Sequence, residues 1–232
     1  VYPSDLHRYR VHFFYALKYH TVYRFFIFVQ NRRAMPTKAE RTTAYIIETV
    51  APIFNKHGYV GTSMNDLTEA TGLTKGALYG NFENKEALAI AAFEYNSKRL
   101  LKAIDDKLNV EGTALEKLFS LTDFYRHYDS FTASMGGCPV LNVGVDAKYN
   151  NATLKAAANE TIRTIEGKIA LILENGVKNN ELKLPVTPLQ FAKQLYTMIQ
   201  GATAMATITG DRKYLINTIA YLDVLVKKEI KK

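Results

Sequence analysis

The stretch Gly58–Leu88, GYVGTSMNDLTEATGLTKGALYGNFENKEAL, constrains this chain more than any other. It reads as two short helices joined by a tight glycine turn, followed by the start of a third. Ser63 is a good N-cap, and Asp66 three residues on gives a weak capping-box pattern. Met64, Leu67 and Ala70 recur at i, i+3 and i+6 and face inward. Gly72 makes the turn. Thr74 then caps a helix of barely two turns, Lys75, Gly76, Ala77, Leu78 and Tyr79. Leu73 and Leu78 are placed to bury, while Lys75, Gly76, Tyr79 and Asn81 face out. Spacing, turn and caps agree on a helix-turn-helix.

The surrounding pattern predicts an all-α chain. A first helix runs from about Lys38 to His57, with Ile46, Ile47, Val50, Ile53 and Phe54 on one apolar face. Pro52 lies inside it and predicts a kink, because it lacks a backbone donor and crowds the carbonyl of Glu48. Gly58 is its stop signal. Long helices follow at about 84–108, 113–131, 150–179, 187–209 and 211–229. Between them, Ala133 to Ala147 carries Gly136, Gly137, Gly144 and Pro139 and reads as a loop with room for a short helix. The expected division is an atypical leader at 1–34, a three-helix unit with the helix-turn-helix at 35–83, and a larger helical regulatory part at 84–232. A single cysteine excludes an internal disulfide framework and suits a reducing cytosol, so a cytoplasmic location is expected.

The net charge of +8 is unevenly placed. Residues 1–34 hold six Lys/Arg and one acid, a balance of +5, and the remainder holds 24 Lys/Arg and 21 acids, a balance of +3. The basic balance is therefore largely a property of the leader and is no argument for nucleic-acid binding. The leader also carries ten aromatics and three of the five histidines, without a steady helical or strand period. Its longest uncharged run near the end, Phe25 to Asn31, falls far short of the roughly 20 residues that span a bilayer. Three readings stand open: a basic arm gripping DNA or a membrane surface, a passive extension, or an upstream remnant ahead of a natural start at Met35.

A helix-turn-helix lays its second helix in the major groove of DNA. Small residues such as Gly76 and Ala77 let that helix approach base edges. Lys75 can reach a guanine or a phosphate, and Tyr79 can donate to a phosphate oxygen. Helix N-termini attract phosphate, which adds Thr62, Ser63, Thr74 and Lys85 to the candidates, with Asn81 on the outward face. Residues 41–93 resemble the tetracycline-repressor (TetR) family of bacterial regulators. The motifs are the Arg-x₄-Ile-Ile start at Arg41, then PIFNKHGYVGTSMNDLTEATGLTKGALYGNFENKEAL and the long helix after it. GLTKGALYGNF is the most specific part. The chain departs from the family at Pro52 and at Gly80, where a larger polar residue such as His is common; the second departure removes one phosphate contact. The resemblance implies an all-helical homodimer that binds double-stranded operator DNA and releases it when a small-molecule inducer enters the C-terminal part.

In that part the helix 113–131 places Leu118, Leu121, Phe124, Tyr125, Tyr128 and Phe131 near the interior. Buried tyrosines offer an apolar wall and one hydrogen-bonding tip, which suits a small-molecule cavity as well as a plain core. Phe124, Tyr128, Phe131, Cys138, Leu141 and Tyr196 are the candidate ligand residues. Cys138 lies in a Gly-Gly-Cys-Pro turn, and GGCPVLN resembles a TetR subgroup, some of whose members sense electrophiles or oxidants. A reactive thiol needs a lowered pKa or exposure, so a sensing and a structural role both stay open. Leu189, Ala192, Leu195, Tyr196, Ile199 and Ala202, with Leu215, Ile219, Leu222, Leu225 and Val226, mark two helices suited to a four-helix dimer bundle.

Rival classes have little support. The chain has no HExxH, no cysteine pair, no Gly-rich phosphate loop and no Gly-x-Ser-x-Gly elbow, so no catalytic residue, metal or cofactor is expected. A helical adaptor or small-molecule-binding protein that does not bind DNA is the other alternative. No membrane partner is expected.

Overall fold

The computed structural model describes residues 36–232, so the leader and the expected start at Met35 lie outside the described residues. At the beginning, Thr37 and Glu40 form a reciprocal cap: the Thr37 amide donates to Glu40 Oε2 at 2.7 Å and the Glu40 amide to Thr37 Oγ1 at 3.2 Å. Helix α1 (Lys38–Gly61) follows.

From Thr43 onward the chain is helical, and among the described residues the only β-pairing is an isolated antiparallel bridge between Leu182 and Lys231. Helices α2 (Met64–Thr71), α3 (Lys75–Asn81) and α4 (Lys85–Leu108) come first. Then follow α5 (Ala114–Arg126), α6 (Tyr128–Thr132), a 3₁₀ turn (Ala133–Met135) and α7 (Pro139–Asn150). The last are α8 (Ala152–Lys178), α9 (Pro188–Thr209) and α10 (Lys213–Leu225), which tightens into a π turn over Val226–Ile230.

Two apolar clusters hold these helices. The first joins Ile46, Val50 and Phe54 of α1 with Leu67, Leu78, Leu88 and Phe93, and takes in Val143 and Ala147 of α7 and Leu154 and Ala158 of α8. The second joins Leu100, Ile104 and Leu108 of α4 with Leu118 and Leu121 of α5, Ile165, Ile169 and Leu173 of α8, and residues of α9 and α10. Helices α4 and α8 therefore run through both.

Local chemistry explains where the sequence expectation and the structure part. The break inside α1 is at Gly58 (φ 77, ψ 171), whereas Pro52 stays in helical backbone; one further turn then runs to Gly61. The expected helix 113–131 stops at Arg126, where His127 leaves the helical region (φ −112, ψ 19). The expected loop 133–147 holds a full helix instead. Pro139 stands at its first position, where a missing amide costs nothing, and Cys138 is its N-cap. Gly144, a loop signal in the sequence, lies inside this helix on the side facing α8, where a Cβ would meet Ala158 Cβ at an ordinary contact distance of 3.6 Å. Helix α10 ends four residues before the expected 229, in the π turn.

Gly58 combines two demands. Its φ and ψ fall in a region that essentially only glycine occupies, and a Cβ there would lie 2.6 Å from Asp146 Oδ1. Gly58→Ala is expected to lower stability by about 1–3 kcal/mol, read from the urea midpoint with an unchanged slope.

Candidate nucleic-acid interface and regulatory cluster

Helix α3 is only seven residues long, and its inner side rests on Leu78, which is 1% exposed. The Thr74 hydroxyl oxygen accepts from the Ala77 amide at 3.2 Å, and the Phe82 amide donates back to the Leu78 carbonyl at 2.9 Å. On the outer side Lys75, Gly76, Tyr79 and Gly80 are exposed. A Cβ at Gly80 would meet nothing within 4 Å, and one at Gly76 only Thr74 Oγ1 at 3.8 Å. This surface is open and uncluttered, as close approach to a groove requires.

The N-terminus of α2 is closed by the expected capping box: Ser63 Oγ accepts from the Asp66 amide, and Asp66 Oδ2 accepts from the Ser63 amide at 2.7 Å. That backbone hydrogen bond, with the Ser63 hydroxyl behind it, holds the Asp66 carboxyl below its ordinary range. The Ser63 amide is therefore committed. The Ser63 hydroxyl accepts from the Asp66 amide and leans on the Asp66 carboxyl, while the Thr74 hydroxyl acts as acceptor in its cap and keeps its own proton to donate. Lys85 opens α4 half-buried, its ammonium 4.5 Å from the centre of the Tyr59 ring. Ala77 is half-buried on α3.

Two expected contact residues are otherwise engaged. Thr62 is 1% exposed and its hydroxyl donates to the Gly58 carbonyl at 2.7 Å, so it closes the loop after the α1 break and does not face outward. Asn81 is half-buried; its Oδ1 accepts from Thr43 Oγ1 at 2.8 Å and its Nδ2 donates to the Ala77 carbonyl at 2.8 Å. It fastens α3 to α1. A Thr at a helix start and an Asn at a helix end read alike whether they face solvent or close a turn, which is why sequence misplaced both.

The expected ligand residues do come together. Phe124 lies 5.0 Å from Phe131 and 5.7 Å from Tyr128 between ring centres, both edge-to-face. The Tyr128 hydroxyl donates to Cys138 Sγ at 3.1 Å, and Sγ also accepts from the Leu141 amide at 3.5 Å as the cap of α7. Leu141 packs half-buried against the second cluster. Tyr196 reaches the group through Tyr125, with ring centres 6.5 Å apart. Sequence reasoning missed two members. Tyr125 stands one turn before Tyr128, its ring centre 4.9 Å away. Gln200 stands one turn after Tyr196, its Oε1 3.7 Å from Cys138 Sγ. The helical repeat was the signal for Tyr125, whereas Gln200 is marked only by its contact with Cys138, 62 residues away in the chain.

These rings pack on one another. An open cleft of about 350 Å³ lies elsewhere, lined by Phe119, Asp123, Arg126, Asp223, Val224 and Lys227, and contains none of the expected ligand residues. Burial pushes the Cys138 thiol and the Tyr125, Tyr128 and Tyr196 phenols up, so all four stay protonated and neutral. Arg126 is turned to Asp223 at 2.6 Å and His127 is exposed, so neither supplies the positive charge that would activate the thiol. The hydroxyls of Tyr125 and Tyr196 and the Nε2 of Gln200 are buried without a hydrogen-bond partner. No helix among the described residues is long and apolar enough to cross a membrane.

Known proteins match this arrangement. Residues 46–92 fit the family described as bacterial regulatory proteins, tetR family, and residues 114–222 fit the tetracyclin repressor-like C-terminal domain. A TetR-family transcriptional regulator from Cytophaga hutchinsonii superposes with a TM-score of 0.78 at 35% identity, covering 84% of this chain and 97% of that one. A TetR regulator from Chloroflexus aurantiacus gives 0.79 at 26%, covering 84% and 98%. Among sequence relatives, the HTH-type transcriptional repressor NemR of Escherichia coli (strain K12) is 22% identical over 191 residues, 80% of this chain and 94% of that protein. The paired match at both ends, together with the 35% identical structure, shows that the chain belongs to the TetR family of bacterial transcriptional regulators.

Proposed function

We propose that this regulator represses by holding a two-fold operator as a homodimer and lets go when a small molecule enters its C-terminal part. In this reading residues 35–83 are the DNA-reading unit and 84–232 the regulatory and dimerisation part. One observation carries the DNA-binding half: a two-turn helix anchored inward by Leu78 and clasped by Asn81 presents Lys75, Gly76, Tyr79 and Gly80 on an open face. Ser63, Thr74 and Lys85 are the flanking phosphate contacts, and Ala77 keeps the helix slim.

Dimerisation rests on exposed apolar side chains of the last two helices. Met205 and Ile208 on α9, and Tyr214, Tyr221 and Val224 on α10, recur at helical spacing, and Ile208 is 78% exposed. An apolar stripe of that length on a soluble fold marks an interface. A pair of heads also supplies the reading length that one seven-residue helix lacks.

The ligand site we propose is the cluster of Phe124, Tyr128, Phe131, Cys138, Leu141 and Tyr196, extended by Tyr125 and Gln200. What supports it is the set of buried hydroxyl and amide groups with unused donors, which suits a neutral ligand bearing hydrogen-bond acceptors. Cys138 acts there as a helix cap and a neutral wall.

Three outcomes test this reading. The protein binds DNA from upstream of its own gene with a two-fold footprint, and Lys75→Ala lowers the slope of log affinity against log salt by about 1. Absence of footprinted binding at low salt would reject the DNA-binding proposal. Ile208→Asp shifts sedimentation toward the monomer and weakens operator binding more than tenfold. Gly80→His stabilises the protein by roughly 0.5–1 kcal/mol, because helical glycine is replaced in open space, and tightens operator binding through the added phosphate contact.

A further inference from the structure

The break in α1 at Gly58 separates two groups that an unbroken helix would pair, the Asn55 carbonyl and the Tyr59 amide four residues on. Both have partners on α7. The Tyr59 amide donates to Asp146 Oδ2 at 2.7 Å, and the Asn55 carbonyl accepts from Asn142 Nδ2 at 3.1 Å. Asn142 and Asp146 are one turn apart on α7 and therefore share a face. The Asn55 side chain adds two more bonds, donating to the Met135 carbonyl at 2.6 Å and the Gly137 carbonyl at 2.8 Å. The two backbones come so close that a Cβ on Gly136 would lie 2.6 Å from the Pro52 carbonyl oxygen.

We infer that Asn142 and Asp146 are positioning residues for the DNA-reading unit: they hold α1 bent at Gly58, in place of the helical hydrogen bond the bend gives up. The element has two definite states. With α7 seated, α1 is bent, the Gly58 carbonyl is held by the Thr62 hydroxyl, and Ser63 starts α2 where it does. With α7 withdrawn, Asn55 and Tyr59 regain each other, α1 straightens, and the Gly58–Ser63 connection that aims α2 is redrawn. The same α7 begins at Cys138, whose thiol touches Tyr128 and Gln200, so a shift in the aromatic cluster reaches α7 at its first residue. The consequence for DNA rests on the function proposed above; the bend itself does not.

Asp146→Ala and Asn142→Ala in the full chain test this, with Asp146→Asn as the conservative variant that keeps an acceptor oxygen. Backbone chemical shifts of residues 56–60 report the bend without DNA, and affinity for the upstream DNA reports its use. Asp146→Ala is expected to move the shifts of Gly58 and Tyr59 toward continuous-helix values and to weaken DNA binding at least tenfold, with helicity and dimerisation retained. Asp146→Asn is expected to restore binding to within threefold. Asn142→Ala gives the same direction with smaller size, and it decides the matter if Asp146→Ala does not fold. Shifts unchanged in a folded variant, or shifts changed with affinity within twofold of the parent, overturn the inference. If the parent protein itself binds no DNA, the function proposal fails, and the shifts alone still decide whether α7 holds the bend.

Discussion

The outer face of α3 depends on the burial of Leu78 beneath it. A helix of seven residues is far below the roughly 12–15 that stand alone in water. Burying one leucine contributes about 1.5–3 kcal/mol, more than the Thr74 cap at about 1 kcal/mol. The clasp of Asn81 on Thr43 and of Tyr45 on the Thr71 carbonyl adds orientation more than strength. The outward side chains can then be chosen for DNA, because none of them is needed to keep the helix. That division explains how α3 tolerates two exposed glycines, each unfavourable in a helix by roughly 0.5–1 kcal/mol.

Beyond that anchor, the fold is organised by helices that belong to both apolar clusters. Helix α4 contributes Leu88 and Phe93 to one and Leu100 and Ile104 to the other; α8 contributes Leu154 and then Ile165. Interiors are close-packed, so side chains cannot absorb a disturbance one by one. Helix α7 connects the two regions: its N-cap Cys138 touches Tyr128, and its Asp146 meets the bend in α1.

Much of this was readable in the residues. The Ser63–Asp66 and Thr74 caps, the Gly72 turn and the inward Leu67 and Leu78 all stand as the pattern predicts, because capping and periodicity are local properties. Residues whose role is set by distant partners were not readable. Gly58 does interrupt the helix, as the sequence suggests, but what the interruption is for was not readable, because the Asp146 that holds the Tyr59 amide lies 87 residues away from it in the chain. Gly136, Gly137 and Gly144 looked like loop, yet Gly144 lies inside α7. Thr62 and Asn81 looked outward because nothing local shows that their polar groups already have partners. Gln200 was overlooked for the opposite reason: a glutamine among alanines on α9 carries no signal until Cys138 is brought beside it.

The placement of unpaired polar atoms joins these observations. Among the described residues, six buried side-chain atoms lack a hydrogen-bond partner: Asn55 Oδ1, Asn96 Oδ1, Ser97 Oγ, Tyr125 Oη, Tyr196 Oη and Gln200 Nε2. Each fully unpaired group costs about 1–3 kcal/mol against total stabilities of about 5–15 kcal/mol, and the Tyr125 and Tyr196 hydroxyls are near enough to relieve each other in part. The six fall in two places. Three surround the aromatic cluster; Asn55 of α1 and Asn96 of α4 line a void of about 10 Å³, too small for any ligand, and Ser97 follows Asn96 on α4. Stability alone would have replaced them with apolar side chains of similar shape. Both places lie near the start of α7: Cys138 touches Tyr128 and Gln200, and Asn55 donates to the Met135 and Gly137 carbonyls. The cost of leaving these groups unpaired is thereby concentrated beside the first turn of α7.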